Sequence, residues 1–331
     1  MRPLLLASNP PPKPDGGDAP RIDFVELARI IGGELSFPPE KTGLWGKLER
    51  TTASDIRQAR LAKKQTDVSC FVSFSEKAGL PLALMGAGGR RHVLIGHHLT
   101  SPKKASLQRK LGWLNHFDAV IVLCREQESY LLDEAKLPSE RVFFVRDKVD
   151  HWFFCPQPEI AIEADLIVAV GRERRDYETL VEAMKRLPGK RAVIVASSPW
   201  ARQEASGEGT SVPANVQFVR GLSFVALREL YARASAVCVP LEAGTRYAAG
   251  VNGLLEAMAM GKPVVVSKTP GLEGYLDPSA VVTVPAGDPD ALAAALSAAP
   301  NPALGLAGRK LVEGGWNLDA YLEAIREIVC R

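Results

Sequence analysis

The sequence predicts an α/β protein built as two doubly wound domains, each around a parallel sheet. Three observations carry this. The chain has 331 residues, and at about 150 residues per domain that length suits two domains. Its apolar fraction of 46% and charged fraction of 24% suit a globular chain with a sizeable core. Short Val- and Ile-rich runs alternate with longer amphipathic stretches, the pattern of right-handed βαβ units.

Taken in order, the first strands fall at residues 3–7, 68–73, 92–95, 119–124 and 142–145. A second series falls at 166–170, 191–196, 216–219, 236–241, 264–267 and 281–284. Ala119-Val120-Ile121-Val122-Leu123 is apolar without alternation, as a strand buried on both faces must be. Helical patterns cover 23–31, 103–116, 127–135, 177–185, 223–234 and 252–260. A last amphipathic helix, 318–329, repeats apolar residues at Leu318, Tyr321, Leu322, Ile325, Ile328 and Val329. The Gly- and Ser-rich tract 206–211 reads as a surface loop. The boundary falls in the Pro-bearing stretch 152–165. The domains are therefore 1–155, 156–315 and a C-terminal helical segment, 316–331, that packs back on the first.

Composition excludes several classes. A formal net charge of +3 leaves no global footprint for nucleic acid. No run approaches the roughly 18 apolar residues of a membrane span. The start lacks the apolar length and small-residue cleavage site of a secretory signal, and reads as a strand and a loop. Cys70, Cys124, Cys155, Cys238 and Cys330 are scattered and odd in number, which suits reduced thiols in a cytoplasmic protein better than disulfides or zinc. There is no P-loop Gly-Lys-Ser/Thr, no Gly-x-Ser-x-Gly elbow and no His-Glu-x-x-His helix.

Ligands of doubly wound sheets bind beyond the carboxyl ends of the strands, so residues just after strand ends matter most. The stretch from Val170 to Tyr177 follows a buried strand. Gly171 permits a tight turn, and Arg172 and Arg175 are forks that could grip a diphosphate. A solvated loop with incidental arginines is the equally weighted plainer reading. Farther on, Gly250, Val251 and Asn252 open a helix that Gly261 and Pro263 close, with Asn252 as its cap. A helix N-terminus with open N–H groups suits a pyrophosphate. Glu256 is anomalous, because Leu254, Leu255, Ala257, Met258 and Met260 make that helix apolar nearly all round. A carboxylate there needs partners.

His97 and His98 follow a first-domain strand, where an imidazole could hydrogen-bond a sugar or move a proton. Strand alternation would turn only one of them inward, and a satisfied loop histidine is the plainer reading of the pair taken alone. The basic pairs Arg90-Arg91, Lys103-Lys104 and Arg109-Lys110 read first as solvated charge, with an anionic acceptor or a peripheral membrane contact as the minority alternative.

The second half resembles the donor domain of retaining GT-B glycosyltransferases, family 4 (group 1). The most specific match is Leu255-Glu256-Ala257-Met258-Ala259-Met260-Gly261-Lys262-Pro263-Val264-Val265. Val170-Gly171-Arg172, Arg175-Asp176-Tyr177, Val219-Arg220-Gly221, Leu230-Tyr231-Ala232-Arg233-Ala234 and Val239-Pro240-Leu241 support it by order and spacing. The likeness weakens over residues 1–140 and returns at Asp150-His151-Trp152-Phe153-Phe154. It implies two Rossmann-like domains facing across a cleft, with a nucleoside-diphosphate sugar held by the second and an acceptor by the first. By that resemblance Arg172 and Arg175 bind the donor diphosphate, Arg220, Gly221 and Leu222 lie against the base, and Glu256 binds the ribose. His97 or His98 faces the reacting sugar as the catalytic residue.

One departure stands out. The family's first glutamate, eight residues before the second, is Ala248 here. Glu242, Arg246, Tyr247 and Asn252 are candidates to contact the transferred sugar instead. No Asp-x-Asp motif lies near the site, so no metal and no other cofactor is expected. The expected activity is transfer of a sugar to an acceptor hydroxyl with retention. A catalytically silent nucleotide-binding protein and a GT-B epimerase or phosphorylase are the alternatives.

Overall fold

Parallel pairing organises both halves of the chain. The computed structural model describes residues 2–11, 18–196, 212–298 and 301–331. The loop predicted at 206–211 lies outside them. Contacts divide the chain into two units: Arg21–Arg146 with the N-terminal strand and Tyr321–Arg331 in one, Asp147–Ala320 in the other.

The first unit runs β1 (Arg2–Leu6), α1 (Asp23–Ile31), β2 (Glu34–Ser36), α2 (Gly43–Thr52), α3 (Ile56–Lys64), β3 (Val68–Ser73) and α4 (Glu76–Met85). It continues with β4 (Arg91–Gly96), α5 (Pro102–Leu111), β5 (Ala119–Val122), α6 (Arg125–Ser129) and β6 (Val142–Phe144). Its six strands are ordered β2-β1-β3-β4-β5-β6. Leu4, Leu6, Phe71, Ala78 and Leu82 fill one part of its core. Leu94, Trp113, Val120 and Leu131 fill another.

The second unit runs β7 (Glu163–Val170), α7 (Tyr177–Lys185), β8 (Arg191–Val195), β9 (Val216–Val219), α8 (Phe224–Arg233), β10 (Ala234–Val239) and α9 (Val251–Ala259). Then come β11 (Val264–Lys268), β12 (Val281–Pro285), α10 (Pro289–Ala298) and α11 (Pro302–Glu313). α12 (Leu318–Val329) begins here, and its residues from Tyr321 onward group with the first unit. The strand order is β12-β11-β10-β7-β8-β9. Alternate residues of β7 enter opposite cores: Leu166, Val168 and Val170 one, Ile167 and Ala169 the other. That is why the run shows no apolar–polar alternation.

The differences from expectation have local causes. The helix predicted at 103–116 breaks at Gly112, which takes a φ of 56° and caps α5; a 3-10 turn, Trp113–His116, follows. The helix predicted at 127–135 starts at Arg125 and widens into a π turn at Tyr130–Glu134. The cap predicted at Asn252 is Gly250, whose φ of 92° suits only glycine. Its carbonyl accepts the first helical bond, from the amide of Leu254 at 3.1 Å. Asn252 sits exposed in the first turn.

Candidate functional site

In the second sheet the chain goes from β7 outward to β8 and β9, then returns to place β10 on the other side of β7. The strand order reverses between β7 and β10, and a doubly wound sheet offers its crevice where the order reverses. The two loops at that point are the Gly171 loop after β7 and the stretch from Pro240 to Gly250 after β10. They are joined. Arg175 and Leu241 form an antiparallel bridge, the amide of Glu242 donates to Arg174 O at 3.0 Å, and that of Asp176 donates to Pro240 O at 3.2 Å. Arg174, at a φ of 54°, pairs with Glu242 at 2.7 Å.

Arg175 is the hub of this arrangement. Its Nε donates to Val170 O at 3.0 Å and its Nη1 to Glu173 O at 2.8 Å. Its Nη2 lies across Gly171, where a Cβ would meet it at 2.2 Å, and faces the Cβ position of Gly253 in α9 at 3.9 Å. Gly171 has a φ of 112°, so any side chain there is strained and blocked at once. Half-buried Arg172 makes no side-chain hydrogen bond or ion pair among the described residues.

Glu256 lies one turn into α9 and accepts a hydrogen bond from Tyr231 Oη of α8 at 2.8 Å. Burial raises its carboxyl to about 7, against the opposing pull of Tyr231 and the Arg175 charge. Burial and the facing carboxyl push the Tyr231 phenol well above its ordinary range. The partner that a carboxylate on an apolar helix demands is therefore a phenol 25 residues earlier. Lys262, just past α9, is also buried and donates to Ala232 O, which ties the helix end to α8.

Around Ala248, Tyr247 Oη donates to Glu173 Oε1 at 2.8 Å. Glu173 was not among the sequence candidates, although it sits between Arg172 and Arg174. Glu242 and Arg246 are exposed and Tyr247 is buried. Arg220, Gly221 and Leu222 follow β9, the edge strand, and Ser223 next to them caps α8 by accepting from Ala226 N at 3.2 Å. The structure thus brings Arg175, Gly171, Gly250, Val251 and Glu256 together. Arg220 to Leu222 lie at the carboxyl end of the same sheet, two strands out from β7.

In the first unit the order reverses between β1 and β3, where Ser8 and Ser75 hydroxyls meet at 2.6 Å. Exposed His97 and half-buried His98 follow β4. Their amides both donate to buried Glu76, at 3.1 and 2.7 Å. Gln127 Nε2 donates to His97 O at 3.1 Å. His97 Nε2 lies 2.9 Å from Phe74 O, so that nitrogen donates to the carbonyl. Burial opposes the charge of Glu76, yet Lys104, His97 and the His98 amide hold its carboxyl below the usual range. Lys104 is thus an inward charge, 3.4 Å from Glu76, while Lys103, Arg109 and Lys110 are exposed. Among the described residues no three His, Cys, Asp or Glu side chains are placed to hold a metal ion. No helix among them is long and apolar enough to cross a membrane.

No curated protein matches the chain by sequence. Solved structures do match it in fold. Sucrose-phosphate synthase from Thermosynechococcus elongatus has a TM-score of 0.77 at 19% identity over 99% of this chain and 98% of that one. Anabaena HepE in complex with UDP-glucose scores 0.74 at 15% identity over 100% and 99%. WaaG, a glycosyltransferase involved in lipopolysaccharide biosynthesis, scores 0.67 at 16% identity over 99% of each chain. Residues 164–299 match the family model for Glycosyl transferases group 1, and the two six-stranded parallel sheets with their flanking helices have the GT-B glycosyltransferase fold.

Proposed function

We propose that this protein is a retaining glycosyltransferase of family 4 that moves a sugar from a nucleoside-diphosphate donor to an acceptor hydroxyl without a metal ion. One observation carries the reading. At the strand-order reversal of the second unit, a cationic loop, a glycine-capped helix N-terminus and a half-buried carboxyl converge. In that site the diphosphate lies against Gly250, Val251 and Asn252, within reach of Arg172 and Arg175. The ribose hydroxyls donate to Glu256, and the base lies along Arg220, Gly221 and Leu222. The family match over residues 164–299 and the UDP-glucose complex of a protein with this fold support a nucleotide-sugar donor.

The chemistry follows from where charge develops. The bond from the sugar's anomeric carbon to the diphosphate oxygen breaks, the bond to the acceptor oxygen forms, and the hydroxyl proton passes to the departing diphosphate. The sugar passes through an oxocarbenium-like state while negative charge grows on the diphosphate. Preorganised N–H groups of α9 and the two arginines stabilise that charge. His97 or His98 faces the reacting sugar. With Ala248 in place of an acid, Glu242, Arg246 and Tyr247 contact the transferred sugar. The free state of all five cysteines supports a cytoplasmic setting.

Turnover over a panel of nucleotide sugars tests the reading. Acceptor-dependent release of nucleoside diphosphate from one donor is expected, unaffected by a chelator, with the product keeping the donor's anomeric configuration. Ala248 favours one rival, a silent nucleotide-binding protein. Binding with neither transfer nor donor hydrolysis across the panel would establish that rival. Phosphate-dependent turnover would establish a phosphorylase, and diphosphate release without acceptor an epimerase.

A further inference from the structure

α2 is built inside out. A surface helix of a globular unit buries its apolar side and shows its charges. Here Glu49 is fully buried, held by the amide of Arg57 at 2.8 Å and by its guanidinium at 2.8 and 3.0 Å. Gly46 lies so close to the Lys41 backbone that a Cβ there would collide with it. Leu44, Trp45 and Leu48 point outward instead, at 85%, 51% and 44% exposure. Their spacing puts them on one arc of about 100°.

The segment that carries the arc and continues into α3, tied to α2 by the Glu49–Arg57 pair, is one-sided in charge. Residues 40–64 hold seven basic and three acidic side chains. Two of the acids, Glu49 and Asp55, are buried and already paired with Arg57 and Lys41. Of the three, only Glu40 is exposed. Lys47 on α2, with Arg60 and Lys64 on α3, are exposed and form no ion pair among the described residues. Exposed Leu61 adds a further apolar side chain on α3. An interfacial helix combines Leu and Trp on one side with Lys and Arg around it. A second copy of the chain would set these cations against one another, whereas an anionic lipid surface answers both the apolar arc and its charge.

We propose that α2, with the cationic side of α3, docks the first unit on an anionic bilayer surface. Leu44, Trp45 and Leu48 enter the headgroup boundary while Lys47, Arg60 and Lys64 meet lipid phosphates. Because α2 is only ten residues long, binding is reversible and screened by salt.

Co-sedimentation of the full chain with vesicles tests this. One set is phosphatidylcholine alone; the other adds phosphatidylglycerol. Binding to the phosphatidylglycerol vesicles is expected, with release at high salt. Joint Leu44→Ser, Trp45→Ser and Leu48→Ser replacement should cut partitioning by about tenfold or more with an unchanged thermal midpoint. Joint Lys47→Glu, Arg60→Glu and Lys64→Glu replacement, which leaves the apolar arc intact, should do the same. No binding by the parent chain would overturn the proposal, as would equal binding by the serine variant. A parent dimer that the serine variant dissociates, without vesicle binding, would assign the face to a second copy.

Discussion

Arg175 and Glu256 place opposite charges at one short helix start, and their surroundings differ. The guanidinium is spent largely on carbonyls of its own loop, so it shapes the loop as well as supplying charge. Glu256 accepts a hydrogen bond from Tyr231, and burial raises its carboxyl to about 7. An acid whose folded value is raised from 4.5 contributes its stability fully below that value and loses it as the pH climbs through about 7. Glu256→Gln should therefore remove part of the fall in thermal midpoint between about pH 4.5 and 7. Ribose hydroxyls donate to the ionised form, so affinity for a nucleotide sugar should rise as the pH climbs through about 7. In Glu256→Gln that rise should vanish. Glu256→Ala should weaken binding by about 1–3 kcal/mol. Calorimetric titration across this range measures each effect, and an unchanged affinity in a folded variant would remove the ribose assignment.

Elements differ in how openly the chain announces them. β3 and β9 match their apolar runs, and α1, α7 and α12 match their periodicity. β2 spans three residues at a sheet edge, too few to show a period. α2 escapes because it buries Gly46 and Glu49, so its apolar side chains mark no core face. α3 buries Gln58, Ala59 and Ala62, again small or polar. α11 escapes because Gly305, Gly308 and Val312 form its buried side. It is seated by backbone approach: a Cβ on Gly305 would lie 2.1 Å from Gly261 O, just past the end of α9. Gly305→Ala should therefore lower stability by about 1–3 kcal/mol, the usual cost of overpacking. Thermal unfolding checks this, and a neutral result would mean that α11 shifts freely. At the site, Glu256 and the cationic Gly171 loop were legible as local anomalies. The links Tyr231–Glu256 and Glu173–Tyr247 were not, because they join side chains 25 and 74 positions apart.

At the scale of the whole molecule, each unit is a doubly wound sheet with its own reversal point, and the two points carry different chemistry. The second presents cations, helical N–H groups and one half-buried acid, Glu256. The first presents the Ser8 and Ser75 hydroxyls, and one strand over, after β4, stands a histidine pair braced by Glu76 and Gln127. The reversal point of the second unit is where a nucleoside diphosphate would bind. Thermal unfolding of the parent chain, Gly171→Ala and Arg172→Ala with UDP, GDP, ADP, CDP and dTDP tests it most directly, because selective binding raises the midpoint by mass action. The account predicts a clear rise with one base, reduced in Arg172→Ala and lost in Gly171→Ala. No rise with any diphosphate, or a rise that both variants keep, would contradict it.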